Sequence, residues 1–483
     1  MVIQKRSKHI FMSDSRIKSK YFLLILLVQL GMSAFNNVIC QNIQRPNIII
    51  VLADDLGWGD LGFNGQQKIK TPNLDKMAKE GIKLNQFYAG SAICAPSRAV
   101  LLTGINTAHS HIRGLAGWTV EKKVDLLDEE VTFAEELKRV GYETAIIGKW
   151  GMEEGAGTGM ANKQGFDYFY GFKTHMEAHH YYPEYMWENE TKVLFPENRT
   201  SEKKGAYSND VFTRKAISFI NKNKSTPFLL YVPYTVPHNE ITVPDDSKEQ
   251  YEHLGWEKRP MKQGHYYHDP EGNTAYAGMV SRLDRYIGEI RDELKKLNIE
   301  KNTLIIFSSD NGPVYDNGFF DSNGPYRGGK SELYEGGIRS PGVAVWPAVI
   351  KKGSESAAPI AFWDVLPTLC NIVGIKPLVK VDGLSFLSEL KGRKNKALQN
   401  RFLYWEINPP PRTFSQAVRW GKWKAVKHWQ KPTELYDLSV DKSETRDVSK
   451  EHIPIVEKIE KYMKETRTDN ALFPVVRQPN KKQ

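Results

Sequence analysis

The chain is poor in cysteine and has no long apolar segment. Only three cysteines, Cys40, Cys94 and Cys370, occur among its 483 residues, which excludes a disulfide framework. The longest apolar stretch, Tyr21–Leu30, is shorter than the roughly 20 residues that span a bilayer, so no stable membrane span is expected. A chain of this length can bury a large core, and we expect one large domain and a smaller one.

The charge is too weakly one-sided to indicate a nucleic-acid partner. The formal net charge is +10, but six basic residues and Asp14 place +5 of it within residues 1–20. The rest of the chain therefore carries about +5, which suits an anionic substrate without requiring one. No nucleic-acid partner is expected.

Residues 1–40 have the order of a secretory signal, in which basic residues precede an apolar stretch and then small residues. Candidate cleavage positions follow Ser33, Ala34 and Cys40, and a retained anchor is the alternative. We therefore expect export, with a periplasmic or secreted mature protein. An exported protein with so few cysteines is typical of a bacterial envelope.

Strand and helix patterns alternate after the predicted signal. Asn47–Leu52 is a continuous apolar run, typical of a strand buried on both faces, and Thr71–Glu80 and Tyr276–Leu297 are amphipathic helical patterns. The alternation predicts an α/β fold over residues 45–370, with a mostly parallel central sheet flanked by helices. Residues 371–483 contain short aromatic-rich runs, which predict a smaller C-terminal subdomain with an antiparallel sheet and a terminal helix.

Polar residues follow four of the predicted strands. They are Asp54 and Asp55, Lys149, His238, and Asp310 with Asn311. Ligands of open α/β sheets bind at the carboxyl ends of the strands, so together these residues indicate a site, although each alone has an ordinary role in a turn. The aspartates and the asparagine offer only oxygen ligands, which suit calcium or magnesium better than zinc.

The stretch Cys94–Gly104, CAPSRAVLLTG, has the pattern of a short helix with a thiol at its start. Pro96 fits the first helical turn, and Arg98 lies one turn from Cys94 on the same face. A helix N-terminus favours anionic ligands and an anionic form of a cysteine placed there. A small buried thiol is the alternative interpretation, and the surrounding residues count against it.

This stretch resembles the sulfatase signature C-x-P-S-R-x-x-x-L-T-G, and Tyr326–Pro341 resembles a second signature of that family. The similarity covers about residues 46–438 and implies an alkaline-phosphatase-like fold and hydrolysis of a sulfate ester. In sulfatases the cysteine is oxidised to formylglycine, whose hydrate attacks sulfur to give a covalent sulfo-enzyme. The resemblance thus implies that Cys94 is a nucleophile precursor, matured by a formylglycine-generating or equivalent enzyme.

The resemblance also implies roles for the other candidates. One divalent cation, most often calcium, is implied, with ligands from Asp54, Asp55, Cys94, Asp310 and Asn311. The cations that bind sulfate and support the nucleophile are matched by Arg98, Lys149 and Lys330. His238 matches the histidine that assists the departing alcohol, and Arg327 and Arg339 are expected to be structural or at the rim.

One position departs from the family pattern. Many relatives have a histidine two residues after the strand lysine, whereas this chain has Gly151. We expect His179 to replace that histidine, with a role in packing or in the substrate wall as the alternative. His109, His111 and Arg113, just past the first signature, are further candidates for lining a substrate pocket.

The expected substrate is a sulfated oligo- or polysaccharide. Expected export supports this, as does the aromatic-rich stretch Tyr181–Trp187, because aromatic rings stack on sugar faces. Ordinary packing is the alternative for those rings. Two other functions stay open from the sequence: a phosphodiester or phosphonate monoester hydrolase on the same scaffold, and a non-catalytic glycan-binding protein.

Overall fold

The computed structural model describes residues 45–115, 123–155, 157–198, 205–259, 266–314, 318–408 and 414–475. The predicted signal, residues 1–40, lies outside these ranges, so export, signal cleavage and a retained anchor stay predictions. Among the described helices, none is both long and apolar enough to cross a bilayer. The described residues from Pro46 onward belong to one compact unit.

The strands of the described chain form three sheets. They are β1 (Asn47–Ala53), β2 (Ile82–Leu84), β3 (Phe87–Tyr88), β4 (Glu143–Lys149), β5 (Tyr168–Phe172), β6 (Tyr185–Glu188), β7 (Thr191–Leu194), β8 (Phe228–Pro233), β9 (Thr303–Ser309), β10 (Arg339–Ser340), β11 (Val343–Val345), β12 (Ser354–Ser356), β13 (Ile360–Ala361), β14 (Phe402–Ile407), β15 (Ser415–Trp420), β16 (Trp423–His428) and β17 (Glu434–Asp437). The largest sheet has ten strands in the order β12-β2-β11-β9-β1-β8-β4-β5-β6-β7. A second sheet joins β10, β3 and β13, and a third contains β14 to β17 in order.

The centre of the ten-stranded sheet is parallel, as predicted. Strands β9, β1, β8, β4 and β5 pair in parallel, whereas β11 on one side and β6 and β7 on the other join antiparallel. The continuous apolar run of β1 has a physical reason, because Ile48 and Ile50 face one core of the sheet while Ile49 and Val51 face the other.

Helices cover the sheet. They are α1 (Pro72–Glu80), α2 (Cys94–Thr103), α3 (Phe133–Lys138), α4 (Ser208–Lys222), α5 (Glu249–Glu252), α6 (Gly272–Lys296), α7 (Glu335–Ile338), α8 (Val365–Val373), α9 (Leu387–Leu390), α10 (Lys396–Gln399) and α11 (Ile453–Thr466). Thr132 and Glu135 form a reciprocal capping box at the start of α3. On α6, the buried Asp284 carboxylate accepts the N–H groups of Asn73 and Leu74, which open α1.

The C-terminal antiparallel sheet and the terminal helix α11 are both present as predicted. Ile459 and Met463 on α11 pack against Tyr404 and Val418 of the sheet. The proposed division of the chain between residues 370 and 371 stays a prediction.

The aromatic stretch predicted to stack on sugars is only partly buried, with Tyr181 in the core and Tyr182, Tyr185 and Trp187 partly exposed. The ring of Tyr181 is fully buried and its hydroxyl donates to Thr235 O. Trp187 on β6 is half-buried, and the Nζ atoms of Lys173 and Lys192 lie 4.2 and 5.1 Å from its ring centre. The packing alternative describes Tyr181, whereas sugar stacking by the other three rings stays a prediction.

His109 and Arg113 link the chain that follows α2 to the C-terminal segment, and their lining of a substrate pocket stays a prediction. Arg113 donates to Glu406 and to Thr468 O. His109 Nδ1 lies 2.9 Å from both carboxylate oxygens of Asp382, and its Nε2 lies 2.9 Å from Thr466 O at the end of α11. Since both ring nitrogens face acceptors, the imidazolium form fits this position best.

The stability contributed by His109 is expected to depend on pH. The hydrogen bond to Asp382 raises the pKa of His109 above its usual value, so its stabilisation is present below about pH 6.5 and is lost as pH rises through the folded-state pKa. We expect His109→Gln to lower the free energy of unfolding by about 0.5–1 kcal/mol near pH 5.5, after allowing for solvent screening, and by almost nothing near pH 8.5. Urea unfolding at both pH values measures this difference.

The neighbouring histidine provides the control for this measurement. Burial lowers the pKa of His111, so charging it opposes folding at low pH. His111→Gln should therefore raise the free energy of unfolding near pH 5.5, whereas His109→Gln lowers it. An equal loss of stability for His109→Gln at both pH values would contradict the imidazolium assignment.

Candidate active site

Four oxygen-bearing side chains meet at the carboxyl edge of two neighbouring parallel strands. Asp54 and Asp55 follow β1, and Asp310 and Asn311 follow β9; all four are buried. The backbone N–H of Asp55 donates to Asp310 Oδ1 at 3.1 Å, and Asn311 Nδ2 donates to Asp55 Oδ1 at 2.6 Å. Because the strands pair in register, residues about 255 positions apart become direct neighbours.

Three cations face these carboxylates, one for each. Lys149, the last residue of β4, places Nζ 2.7 Å from Asp54 Oδ2, and Lys330 Nζ lies 2.8 Å from Asp55 Oδ2. Arg98 Nη2 lies 2.7 Å from Asp310 Oδ2. Asp54, Asp55 and Asp310 together are thus balanced in charge by Arg98, Lys149 and Lys330.

Cys94 begins α2 beside this set. Its side chain is only 4% exposed, and α2 ends where Gly104 adopts the left-handed φ of 71°. Burial raises the pKa of the Cys94 thiol, although Lys149 and Lys330 act in the opposite direction. The thiol is therefore neutral near pH 7, which differs from the anionic cysteine that a helix N-terminus favours.

The burial of the cluster shifts several protonation equilibria. Burial and the charge of Asp54 raise the pKa of Asp310 to about 7. Burial also acts to raise the pKa of Asp54, but Lys149 and Arg98 outweigh it and hold that pKa well below its usual value. A carboxylate kept ionised in a buried site is suited to holding a cation.

The donor set fits a divalent cation. Asp54 Oδ1 and Asn311 Oδ1 are buried oxygens that make no hydrogen bond within the described chain. An unsatisfied buried oxygen is costly, and metal coordination removes that cost. Asp54, Asp55 and His238 also have ligand atoms within 4.8 Å of one another. With oxygen donors in the majority, the site is better matched to calcium or magnesium than to zinc.

His238 lies over the cluster within a group of aromatic rings. Its Nε2 is 3.4 Å from Asp55 Oδ2, and its ring stacks on His179 with centres 5.3 Å apart and planes at 15°. Tyr266 lies 5.0 Å from the His179 ring and 5.8 Å from the His238 ring. Burial lowers the pKa of His238 and lowers that of His179 to about 2, so both imidazoles are neutral near pH 7.

The site contains Tyr266, which the sequence did not indicate. It lacks a histidine at position 151, where the sequence has glycine. Tyr266 lies outside both signatures, and no spacing or strand-end rule selects it. Gly151 has φ +70°, and a Cβ placed there would meet no atom within 4 Å. The ring of His179 stacks on that of His238, and its replacement of the missing histidine stays a prediction. Arg327 and Arg339 lie on the segment that carries Lys330, where Arg339 donates to Asn85 O and Glu335.

Comparison with known proteins adds evidence independent of this geometry. The Sulfatase family model matches residues 46–375, which include every candidate site residue. The chain belongs to the sulfatase family. As a sulfatase it is a sulfuric ester hydrolase, and the expected alkaline-phosphatase-like fold is confirmed. A second model, described as N-sulphoglucosamine sulphohydrolase, C-terminal, matches residues 325–469.

Several known proteins resemble the chain over most of their length. N-acetylgalactosamine-6-sulfatase of Mus musculus is 31% identical, over 83% of this chain and 75% of that protein. N-acetylgalactosamine-6-O-sulfatase of Bacteroides thetaiotaomicron is 29% identical, over 89% of this chain and 94% of that protein. The crystal structure of Ps i-CgsB in complex with k-i-k-neocarrahexaose is 29% identical, with a TM-score of 0.74 over 89% of this chain and 95% of that one.

Proposed function

We propose that this sulfatase removes sulfate from a sulfated oligo- or polysaccharide, using formylglycine at position 94 and one divalent cation. The observation that carries the proposal is the charge balance at the carboxyl edge of the sheet. Three buried carboxylates face Arg98, Lys149 and Lys330 beside Cys94. With all three carboxylates ionised, a divalent cation in this set would leave a net charge of about +2, which attracts a sulfate ester and offsets charge that develops on its oxygens.

Asp54, Asp55, Asp310 and Asn311 would hold the cation, with an oxygen on residue 94 as a further ligand. We propose calcium, because a set of carboxylate and amide oxygens without a sulfur ligand suits a hard cation. When bound, such a cation acts as a Lewis acid on sulfate oxygens and on the hydroxyl of residue 94.

Residue 94 supplies the nucleophile in this proposal. The raised pKa of the thiol makes unmodified Cys94 a poor nucleophile near pH 7, whereas a formylglycine hydrate presents an oxygen in the same position. As the hydrate attacks sulfur, Asp310 or a neighbouring group would take the proton of the attacking hydroxyl. The second hydroxyl then loses a proton, and sulfate is expelled from the sulfo-enzyme as the aldehyde is restored. The maturation enzyme implied by the resemblance is part of this proposal.

The remaining residues bind and orient the substrate. Lys149 and Lys330 would contact sulfate oxygens, and Arg98 would hold Asp310 in place. His238 in its neutral form keeps one ring N–H, which can donate to the oxygen of the departing alcohol. Stacking on His179 fixes the plane of that imidazole. A sugar leaving group is supported by the relatives whose names specify sulfated N-acetylgalactosamine.

Sulfate release from defined oligosaccharides tests the substrate class. We expect turnover of sulfated oligosaccharides, including 6-sulfated N-acetylgalactosamine, to exceed that of a simple aryl sulfate in kcat/KM. Release from the aryl sulfate alone would contradict the glycan assignment. An aryl phosphodiester serves as the comparison, and a preference for it by orders of magnitude would support the phosphohydrolase alternative.

Export completes the proposal and has its own test. We propose that residues 1–40 direct secretion and that the mature protein is periplasmic or secreted. The N-terminal sequence of protein recovered from the host envelope or medium is expected to start within residues 34–41. Recovery of the full-length chain from the cytoplasm would contradict export.

A further inference from the structure

A buried ionic cluster joins the C-terminal sheet to the segment that carries Lys330. Lys424 on β16 is 0% exposed, and its Nζ lies 3.1 Å from Glu335 Oε1 and 3.3 Å from Glu444 Oε1, with both carboxylates also 0% exposed. Glu335 is the first residue of α7 and follows Lys330 by five positions. A buried ion pair adds little stability over apolar packing, so stability alone does not explain why this cluster lies here.

The Lys330 loop, residues 326–337, is closed upon itself. The N–H of Gly336 donates to Arg327 O at 2.8 Å, which joins the two ends of the loop. Lys330 N donates to Pro313 O at 3.0 Å, and Ser331 N donates to Ala92 O at 2.8 Å, two residues before Cys94. The backbone of the loop thus ties its tip to the active site, while its two ends lie against the C-terminal sheet.

Both ends of the loop are bound by the same residue, Glu444. The N–H of Glu335 donates to Glu444 Oε2 at 2.6 Å, and Arg327 Nη1 donates to Glu444 O at 3.0 Å. Arg327 Nη1 also donates to the hydroxyl of Tyr436 on β17 at 3.0 Å. Glu444 has φ +51°, which is uncommon for a residue other than glycine and persists where the surroundings fix it.

We propose that Lys424 and Glu444 are positioning residues of the active site, which hold the Lys330 loop so that Lys330 Nζ stays beside Asp55 and residue 94. The C-terminal sheet thereby contributes to the catalytic apparatus through the Lys330 loop. This inference rests on the proposed contact between Lys330 and sulfate. It depends on the 2.8 Å pair between Lys330 and Asp55, whose geometry the loop sets.

Glu444→Gln is the primary variant, because it keeps the size and a hydrogen-bond acceptor while removing the charge. We expect kcat/KM for a sulfated substrate to fall by about tenfold, since displacing a catalytic group by a fraction of an ångström has effects of this order. In a Lys330→Ala background the same change should lower kcat/KM by less than about twofold, because residues acting through one another are not additive.

Hydrogen exchange adds a measurement that does not depend on activity. Amides of residues 326–337 should exchange faster in Glu444→Gln than in the unmodified sequence. Arg291→Met is the matched control, because Arg291 is also a buried cation between two carboxylates, Glu80 and Glu300, and lies outside the described site. It should lower stability while leaving exchange in the loop and kcat/KM unchanged.

The outcomes separate this inference from the proposed function. Unchanged loop exchange and unchanged kcat/KM in folded Glu444→Gln would overturn the positioning role. A tenfold further loss in the Lys330→Ala background would overturn it too, because Glu444 would then act independently of Lys330. Full activity of Lys330→Ala alone would instead contradict the proposed sulfate contact.

Discussion

Replacing Cys94 with alanine is expected to abolish sulfate release, lowering kcat by at least about 10⁴-fold, as loss of a covalent nucleophile does in other hydrolases. The chain should still fold, because alanine fits the space of a side chain that is 4% exposed and makes no ion pair. Mass spectrometry of the Cys94 peptide from active protein should show loss of sulfur and an aldehyde or its hydrate.

Cys370 offers the matched control, because it is the other cysteine of the described chain and is also buried. It lies on α8 and is not among the proposed site residues, and burial raises its pKa to about 12. Cys370→Ala should retain activity. Fully active protein with unmodified cysteine at position 94 would rule out the formylglycine mechanism.

Removal of the divalent cation is expected to have an effect of similar size. Asp54→Asn deprives the site of a charged ligand and leaves Lys149 without its ionised partner, so metal content should fall from about one ion per chain to nearly none. We expect kcat to fall by about 10³-fold or more, the scale of several kcal/mol of Lewis-acid stabilisation. Elemental analysis together with kinetic assays measures both quantities.

The metal-free protein should remain folded, because its three site carboxylates are paired with three cations. Added calcium should raise Tm by mass action, since saturation at 100 times Kd is worth about 2.7 kcal/mol. Asp284→Asn is the control, because it also removes a buried carboxylate, one that caps α1 and lies outside the proposed metal ligands. The Asp284→Asn variant should keep its bound metal. If magnesium but not calcium restored the activity of the metal-free protein, the bound ion would be magnesium instead of calcium.

The parts of the fold that could be predicted are those whose sequence pattern has a single structural meaning. The apolar run of β1 and the capping box at Thr132 each specify local geometry. Asp54 and Asp310 could be predicted to meet, because parallel strands share a carboxyl edge. Short antiparallel edge strands such as β6 and β7 could not, since four-residue segments carry little periodicity.

Contacts between distant side chains are the part that sequence does not reveal. Tyr181 belongs to an aromatic stretch of the kind that binds sugars, but its ring is buried and its hydroxyl donates to Thr235 O. Lys424 has the pattern of an exposed strand lysine, yet tertiary packing places it between Glu335 and Glu444. Tyr266 belongs to neither signature, and only the tertiary fold brings its ring beside His179 and His238. In each case the partner lies far along the chain, beyond any local pattern.

The active site joins parts of the chain that the ribosome makes at different times. Arg98 pairs with Asp310, 212 positions later, so at about 5–20 residues per second a ribosome needs about 10–40 s to deliver the second partner after the first. Throughout that interval the chain lacks β9, and Cys94 has neither its final neighbours nor its final burial. Synthesis itself therefore provides an interval of tens of seconds in which a modifying enzyme can reach a side chain that the finished molecule closes off.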